Sequence, residues 1–409
     1  MSYNELVVTL LKGKELSKLN DDPIIYDKLN IAQPQLDLGF NYLTHIIKNK
    51  LDEPIYKQKL HENIKHKYII NPFEHSNELK YNDFQDILHS TTNKFNLKDK
   101  KISSRSFFKM WEMLKQHELI KDDDNQFSSF HMAEAPGGFI QATILYNELY
   151  NKNFAKTKYF GISLENEIKF SPILQKYYGS GKNRQFFQFK NSKDLDGDIT
   201  KITNIKTLLK TFENNKQSFI TADGGFDPFN EQYHEQESYI LFFAEILLAI
   251  GIQKKGGNFV CKLLDIHTSV TLKLVYIVSL FYNNVKLSKP HTSRQSNSER
   301  YIIATDFKYL PSDKDYKSQF TTLYNVYKQC KELDSDNNNI LDIFPSLEIP
   351  HLFKVLISTY NSKITDQQFI NINTRLDYFK QLGINNELFK KYSKNQEDAT
   401  KWWIDTFLV

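Results

Sequence analysis

A lysine inside an apolar strand is the residue of this chain with the strongest reason to do chemistry. Lys262 interrupts the segment 257–264, Gly-Asn-Phe-Val-Cys-Lys-Leu-Leu, which otherwise has the composition of a buried strand. Burying an amine is costly unless the amine is paired or has a function. Such an amine can act as a cation or, once deprotonated, as a base. Lys262 is therefore a candidate catalytic residue.

Three other charged residues could join Lys262, although each is unremarkable alone. Asp223 ends the apolar segment 218–222 and precedes two glycines, a pattern that Asp also adopts in ordinary turns. Glu299 ends a polar loop that enters an apolar segment. Lys109 lies on a helical segment, 104–114, but off its apolar stripe of residues spaced i, i+3, i+4 and i+7, so a solvated helix lysine would look the same.

A small-residue turn lies at 131–139, His-Met-Ala-Glu-Ala-Pro-Gly-Gly-Phe. The pattern predicts a strand before the turn and a helix directly after it. At such a point backbone N–H groups lack partners, and glycine lets a ligand approach the main chain. The turn lacks the Gly-Lys-Ser/Thr of a Walker loop and the Gly-x-Gly-x-x-Gly of dinucleotide folds. It predicts a ligand site of another kind.

Alternating strands and helices must position these residues. The sequence predicts strands at 127–132, 159–164, 185–189, 218–222, 258–264, 285–287 and 300–305, with helices at 138–150, 237–250 and 269–282. This alternation predicts an α/β fold, a parallel sheet with helices on both faces. Ligands of such sheets bind outside the carboxyl ends of the strands, where Asp223 and the turn both lie.

Together these motifs resemble the FtsJ-like ribose 2′-O-methyltransferases. The turn is similar to their S-adenosylmethionine turn, and Lys109, Asp223, Lys262 and Glu299 have the order of their Lys-Asp-Lys-Glu tetrad. The resemblance covers about residues 101–307. It implies a Rossmann-like class I S-adenosylmethionine-dependent methyltransferase fold, an enzyme, and S-adenosylmethionine as cofactor.

Further segments resemble the branch of that family that methylates the first transcribed nucleotide of capped mRNA. They are 161–164, 197–200, 222–226, 256–262, 292–301 and the Asn-Pro-Phe-Glu turn at 71–74. The resemblance implies cap-specific mRNA 2′-O-methylation, with capped RNA as partner and a protein of the capping machinery as a further candidate partner. The alternatives are a 2′-O-methyltransferase of rRNA or tRNA and a non-catalytic RNA-binding scaffold subunit.

The resemblance makes Lys109, Asp223, Lys262 and Glu299 the catalytic residues, and their physical chemistry is coherent. A ribose 2′-hydroxyl is a poor nucleophile, so its reaction needs in-line placement and a group that handles its proton. In our hypothesis Lys262 accepts the proton, and Lys109 depresses the pKa of Lys262 and steadies the developing alkoxide. A competing hypothesis keeps Lys262 charged as an oxyanion stabiliser. Neither requires a metal.

The predicted cofactor site combines the turn with two other strand ends. The backbone of 135–139 should hold the methionine end of the cofactor, and Asp198 and Ile199 its adenine edge. Ser163 stands where an acid is expected, with Glu165 shortly after it, so the residue that contacts the ribose hydroxyls stays open. At position 134 this chain has Glu, where the family more often has another residue in the turn. The predicted cofactor residues are Glu134, Ala135, Pro136, Gly137, Gly138, Phe139, Ser163, Asp198 and Ile199.

RNA contacts are predicted at three positions. By resemblance, Asn297 and Lys67 contact the RNA. Arg105 belongs to a basic group with Lys98, Lys100 and Lys101, which could bind phosphates in a salt-dependent manner. An ordinary solvated linker explains that basic group equally well.

Composition sets limits on the class of protein. The chain has 409 residues, a net charge of +4, 31 Phe and 23 Tyr, enough for a large core and compatible with a polyanionic partner. Two cysteines argue against a disulfide scaffold or a cysteine-rich zinc site. No signal peptide is recognisable, and the longest apolar run, 239–252, is too short for a membrane helix of about 20 residues. We expect a soluble intracellular protein, cytoplasmic or nuclear. The sequence does not determine its oligomeric state.

The domain prediction has three parts. Residues 1–100 form a mostly helical N-terminal extension, 101–309 the FtsJ-like domain, and 310–409 a helical C-terminal extension packed on the core. The aromatic residues near the end, Trp402 and Trp403, are expected to pack against the core rather than to stack on bases.

Overall fold

The structure is a computed structural model, and it describes residues 6–10, 19–51, 53, 54, 56, 58, 69–73, 102–121, 126–164, 169–180, 184–189, 195–225, 233–381 and 386–408. The strands are β1 Leu6–Thr9, β2 Ile25–Asp27, β3 Ser128–Met132, β4 Lys158–Ile162, β5 Phe186–Gln188, β6 Gln217–Ala222, β7 Gln253–Leu263, β8 Tyr282–Lys289, β9 Arg300–Phe307 and β10 Asn339–Asp342. The long helices are α1 Leu38–Leu51, α2 Ser106–His117, α3 Gly138–Tyr150, α4 Pro172–Tyr178, α5 Ile202–Thr211, α6 Tyr239–Ile252, α7 Ser269–Phe281, α8 Lys314–Ser335, α9 His351–Lys380 and α10 Asn386–Phe407.

One large sheet carries the fold, with the strand order β1-β8-β9-β7-β6-β3-β4-β5. The ladders that join β5, β4, β3, β6 and β7 are parallel, as the sequence predicts. β9 is antiparallel to β7, and β8 is antiparallel to β9. The prediction of a parallel sheet is therefore right for the five strands from β7 to the edge strand β5. It is wrong for β8 and β9, because a ten-residue loop joins these two strands and returns the chain, instead of a crossover helix.

Helices cover both faces of the sheet and enclose two apolar cores. One core gathers α6, α7 and α8 against one face, and the other gathers α2, α3 and part of α10 against the opposite face. α6 is almost entirely buried, since it is apolar on all sides. Among the described residues, no helix is both long and apolar enough to cross a bilayer. The α/β fold with helices on both faces is confirmed.

Both extensions join this core. Although the sequence predicts a mostly helical segment at 1–100, β1 pairs antiparallel with β8 at the edge of the large sheet. The short run Leu-Val-Val-Thr favours a strand, but its partner lies almost 280 residues away in sequence, so local pattern does not reveal it. β2 pairs with β10 in a small second sheet. The C-terminal extension is helical apart from β10.

Candidate active site

Two lysine–carboxylate pairs meet at the carboxyl ends of the central strands. Nζ of Lys109, on α2, lies 2.6 Å from Oε1 of Glu299, just before β9. Nζ of Lys262, near the end of β7, lies 3.4 Å from Oδ1 of Asp223, just after β6, and donates to the Asp223 carbonyl at 2.9 Å. All four side chains are largely buried. The four residues predicted to be catalytic thus lie together, although 190 positions separate the first from the last.

Tyr301 joins the two pairs. Its hydroxyl lies 3.3 Å from Oδ1 of Asp223 and 3.3 Å from Oε1 of Glu299. Tyr301 is also the register partner of Lys262 in the β7–β9 ladder. Sequence reasoning missed this residue, although its position two residues after Glu299 carries the needed signal, because positions i and i+2 of a strand face the same side.

The two glycines after Asp223 allow this close packing. A Cβ on Gly225 would lie 2.8 Å from Nζ of Lys262, and a Cβ on Gly224 would lie 2.3 Å from Oε1 of Glu245. Glu245 is a buried acid on α6 whose carboxylate accepts the N–H of Gly224 at 3.1 Å and the thiol of Cys261 at 3.5 Å. Glu245 therefore holds Gly224, which follows Asp223, and Cys261, which precedes Lys262.

The charges around Lys262 favour the protonated form of its amine. Burial alone would lower the pKa of Lys262, but the carboxylates of Asp223, Glu299 and Glu245 outweigh it and raise the pKa above the ordinary value. Burial opposes ionisation of Glu299 as well, yet Lys109, Lys262 and Lys289 bring the pKa of Glu299 far below its ordinary value. The tetrad is thus a set of paired charges, and the expected depression of the Lys262 pKa is not found.

An open cleft of about 1370 Å³ adjoins the tetrad. Four of the predicted cofactor residues line this cleft near the ends of β3, β4 and β5: Ala135, Ser163, Asp198 and Ile199. Asp223 and Lys262 of the tetrad line it as well. At the same end, Gly197 has a φ of +86° and a Cβ there would lie 2.3 Å from the Ser163 carbonyl oxygen. Glycine at 197 therefore lets two walls of the cleft come together.

The remaining predicted cofactor residues are not among those that line the cleft. The buried carboxylate of Glu134 accepts the N–H groups of Phe139 at 2.7 Å and Ile140 at 3.2 Å and so caps α3. A Cβ on Gly138 would lie 2.1 Å from Oγ of Ser106, at the contact between α3 and α2. Gly137 packs in the same way against Leu174, Pro136 precedes it in the turn, and Phe139 is fully buried.

The capping by Glu134 changes the chemistry expected of the turn. The helix N-terminus is no longer a set of unpaired N–H groups, since a carboxylate fills it. Burial, together with the nearby charge of Asp223, raises the pKa of Glu134 well above its ordinary value. Four carboxylates against two lysines line the cleft itself: Asp198, Asp223, Glu237 and Asp334, with Lys262 and Lys331. These surroundings suit a cationic ligand such as a sulfonium cofactor and disfavour a phosphate.

The loop 290–299 carries Glu299 and the predicted RNA contact Asn297, and it is held from below by a buried lysine. Nζ of Lys289 donates to the Asn297 carbonyl and Oδ1, both at 3.0 Å, and to the Glu299 carbonyl at 2.7 Å. Burial lowers the pKa of Lys289 to about 7. Arg105, also predicted to contact RNA, donates to the Thr292 carbonyl at 2.9 Å and so braces this loop. Lys67 lies outside the described residues, as do Lys98, Lys100 and Lys101.

Glu112 ties the same loop to the C-terminal helix. It lies one turn after Lys109 on α2 and is completely buried. Its carboxylate accepts the N–H groups of His291 and Thr292, the Thr292 hydroxyl, and Nε1 of Trp403 at 3.2 Å. Burial raises the pKa of Glu112 to about 7, although these donors oppose the shift.

We expect Glu112→Ala to lower the free energy of unfolding by about 2–4 kcal/mol, because several buried donors lose their acceptor. Urea denaturation at pH 6 measures the change, and the exposed Glu213→Ala serves as control. Glu112 has a folded-state pKa above that of the unfolded chain, so its contribution is lost as the pH rises through about 7. An equal stability of both variants would contradict this role.

Comparison with known proteins adds three relatives. Cap-specific mRNA (nucleoside-2′-O-)-methyltransferase 1A of Caenorhabditis briggsae is 28% identical over 304 residues, 71% of this chain and 33% of that protein. The inactive cap-specific mRNA (nucleoside-2′-O-)-methyltransferase 1B of the same species is 26% identical, over 71% of this chain and 34% of that protein. Cap-specific mRNA (nucleoside-2′-O-)-methyltransferase 1 of Homo sapiens is 30% identical, over 55% and 27%. The chain thus spans about a third of the length of these curated relatives.

A family model covers the part of the chain that builds the site. The model described as FtsJ-like methyltransferase matches residues 102–307, which include all four tetrad residues and the cleft-lining ends of β3, β4 and β6. Its limits lie close to the predicted 101–309. Since this match takes in half of the chain and the fold agrees with it, the protein belongs to the FtsJ-like methyltransferase family.

Proposed function

We propose that this protein is a cap-specific mRNA 2′-O-ribose methyltransferase, which transfers a methyl group from S-adenosylmethionine to the 2′-hydroxyl of the first transcribed nucleotide. The tetrad is the observation that carries the catalytic part of this proposal. An inactive relative of similar identity shows that likeness alone does not establish activity. In this chain all four tetrad residues are present and lie in contact as two ion pairs beside an acidic cleft.

In this proposal the cleft binds the cofactor, and the tetrad acts on the ribose hydroxyl. When bound, S-adenosylmethionine supplies an electrophilic methyl group. The charges of the Lys109 and Lys262 amines would stabilise the negative charge that develops on the ribose oxygen. Asp223 and Glu299 fix the positions of the two amines, and Tyr301 fixes the carboxylates relative to each other. The raised pKa of Lys262 favours a charged, stabilising lysine over a neutral base. In that case the proton of the 2′-hydroxyl passes to water in the open cleft as the bond from oxygen to the methyl group forms and the bond from the methyl group to sulfur breaks.

The loop 290–299 supports RNA as the substrate. It places Asn297 near Glu299, and Lys289 holds both residues from beneath, so a strand of RNA on this loop would be presented to the tetrad. The names of the relatives support a capped mRNA rather than another RNA. Methylation of rRNA or tRNA is the second candidate from the sequence, and no feature of the described residues favours it.

Cap dependence is the test. We expect the protein to transfer label from S-adenosylmethionine to a short capped RNA at least tenfold faster than to the same RNA without a cap. A capped RNA that is already 2′-O-methylated at its first nucleotide is the matched control and should accept no label. Equal labelling of capped and uncapped RNA would overturn the cap assignment. No labelling of any RNA would support the scaffold alternative.

A further inference from the structure

The cofactor cleft has a wall that lies outside the part of the chain matched by the family model. Helix α8 belongs to the C-terminal extension, yet its residues Lys331 and Asp334 line the cleft. The family match ends at residue 307. These two residues therefore belong to the cleft but not to the segment that the family model matches.

A buried tyrosine fixes α8 in this place. The hydroxyl of Tyr327 donates to the Thr200 carbonyl at 2.7 Å, and its ring packs edge-on against Phe243 of α6 at 5.2 Å. Thr200 follows Asp198 and Ile199, the predicted adenine edge. Both Asp198 and Asp334 contribute to the raised pKa of Tyr327, after burial. Asp198 and Asp334 thus both lie near this tyrosine.

Asp334 is held in position but keeps acceptor capacity. Its Oδ2 lies 3.0 Å from Nζ of Lys331, one turn earlier on the helix. Its side chain is 45% exposed, so a ligand in the cleft can reach it. Oδ1 of Asp198 accepts the N–H of Thr200 at 2.9 Å and its hydroxyl at 2.7 Å, which leaves Oδ2 of Asp198 as an acceptor. Asp198 and Asp334, which both line the cleft, therefore each offer one carboxylate oxygen to a ligand.

The described residues directly after β4 offer the cleft no carboxylate. The described residues there, Ser163 and Leu164, carry none, while they line the same cleft. Adenosine offers two kinds of donor, the 6-amino group and the ribose hydroxyls, and a carboxylate binds either with a charge-assisted hydrogen bond.

We propose that Asp334 of the C-terminal extension, held by Lys331, is the carboxylate that accepts hydrogen bonds from the adenosine part of the cofactor. This inference rests on the proposed function, because it takes S-adenosylmethionine as the ligand. It makes the C-terminal extension part of the cofactor site and not only a support for the sheet.

Binding of S-adenosylhomocysteine, measured by calorimetry on the whole chain, tests the inference without reference to activity. We expect Asp334→Asn to raise the Kd about tenfold. Glu332→Gln makes the same change of charge on the neighbouring, exposed position of α8 and should leave the Kd unchanged. Thermal denaturation without ligand should show the same midpoint for both variants.

Two comparisons make the test decisive. Asp334→Asn with an unchanged Kd would overturn the inference. The inosine analogue of the ligand lacks the 6-amino donor. If the Kd of this analogue is the same for wild type and Asp334→Asn, the 6-amino group is the partner of Asp334. If the analogue still binds wild type more tightly, the ribose hydroxyls are the partners. A wild-type protein that binds no S-adenosylhomocysteine would instead refute the proposed function.

Discussion

Replacement of Lys262 by alanine is expected to lower kcat for methyl transfer by about 10²–10⁴-fold. The amine of Lys262 is largely buried, pairs with Asp223 and lines the cleft, and a water molecule in its place would lack this fixed position. Lys255→Ala, at the exposed far end of the same strand, is the matched control and should retain full activity. Label transfer to capped RNA under single-turnover conditions measures the chemical step.

The pH dependence of the wild-type rate distinguishes the two roles of Lys262. Three carboxylates raise its pKa above the ordinary value, so the neutral amine is scarce at pH 8. If Lys262 were the base, the single-turnover rate would rise about tenfold per pH unit from 8 to 10. We expect instead no such rise, since the charged amine does the work. A rise in the wild type that vanishes in Lys262→Ala would restore the proton-acceptor hypothesis.

Glu299→Gln should destabilise the protein as well as inactivate it. Glu299 faces Lys109 at 2.6 Å and lowers the cost of burying Lys262 and Lys289. Removal of one partner of a buried ion pair costs about 3–5 kcal/mol, because the other charge is left unpaired. We expect a loss of this size in the free energy of unfolding at pH 7, and a kcat lower by about 10²-fold because Lys109 is no longer held.

The same substitution should change the pH dependence of stability. The pKa of Glu299 is far lower in the folded protein than in the unfolded chain, where it is about 4.3. The stabilisation is therefore fully present above that value and is lost as the pH falls below it. Urea denaturation between pH 3 and 7 should show a steeper acid loss for wild type than for Glu299→Gln. Parallel curves would contradict the pairing, and the exposed Glu348→Gln should behave as wild type.

The sequence predicts the fold well where the elements are local. The strands and helices predicted between 127 and 307 agree with the structure to within a few residues, except that β7 begins five residues earlier. The sequence analysis missed the helices α4 and α5 in this range. Asp223 and the small-residue turn are correctly expected at one edge, because parallel strands end together. The proximity of Lys109 to Glu299 is predicted only by the family resemblance, because the helix and the loop that carry these residues are far apart in sequence.

The sequence does not reveal the residues that act through distant partners. Glu112, Glu245 and Lys289 are charged residues in apolar elements, and that local conflict is a signal of a buried network. Their partners, however, lie in other elements, so their roles require the structure. Glu134 shows the opposite case: its position in the turn is correctly singled out, but it caps a helix instead of lining the cleft.

The link between Glu112 and Trp403 has a consequence for the timing of folding in the cell. The helix that carries Lys109 obtains two of its buried partners, Trp403 and the carbonyl of Phe407, from residues at the far end of the sequence. During translation, the ribosome releases the whole family-matched segment before these residues emerge. A nascent chain that stops at residue 307 would therefore contain every tetrad residue but would lack the contacts that seat Lys109. We expect methyltransferase competence to arise only after synthesis has passed residue 407.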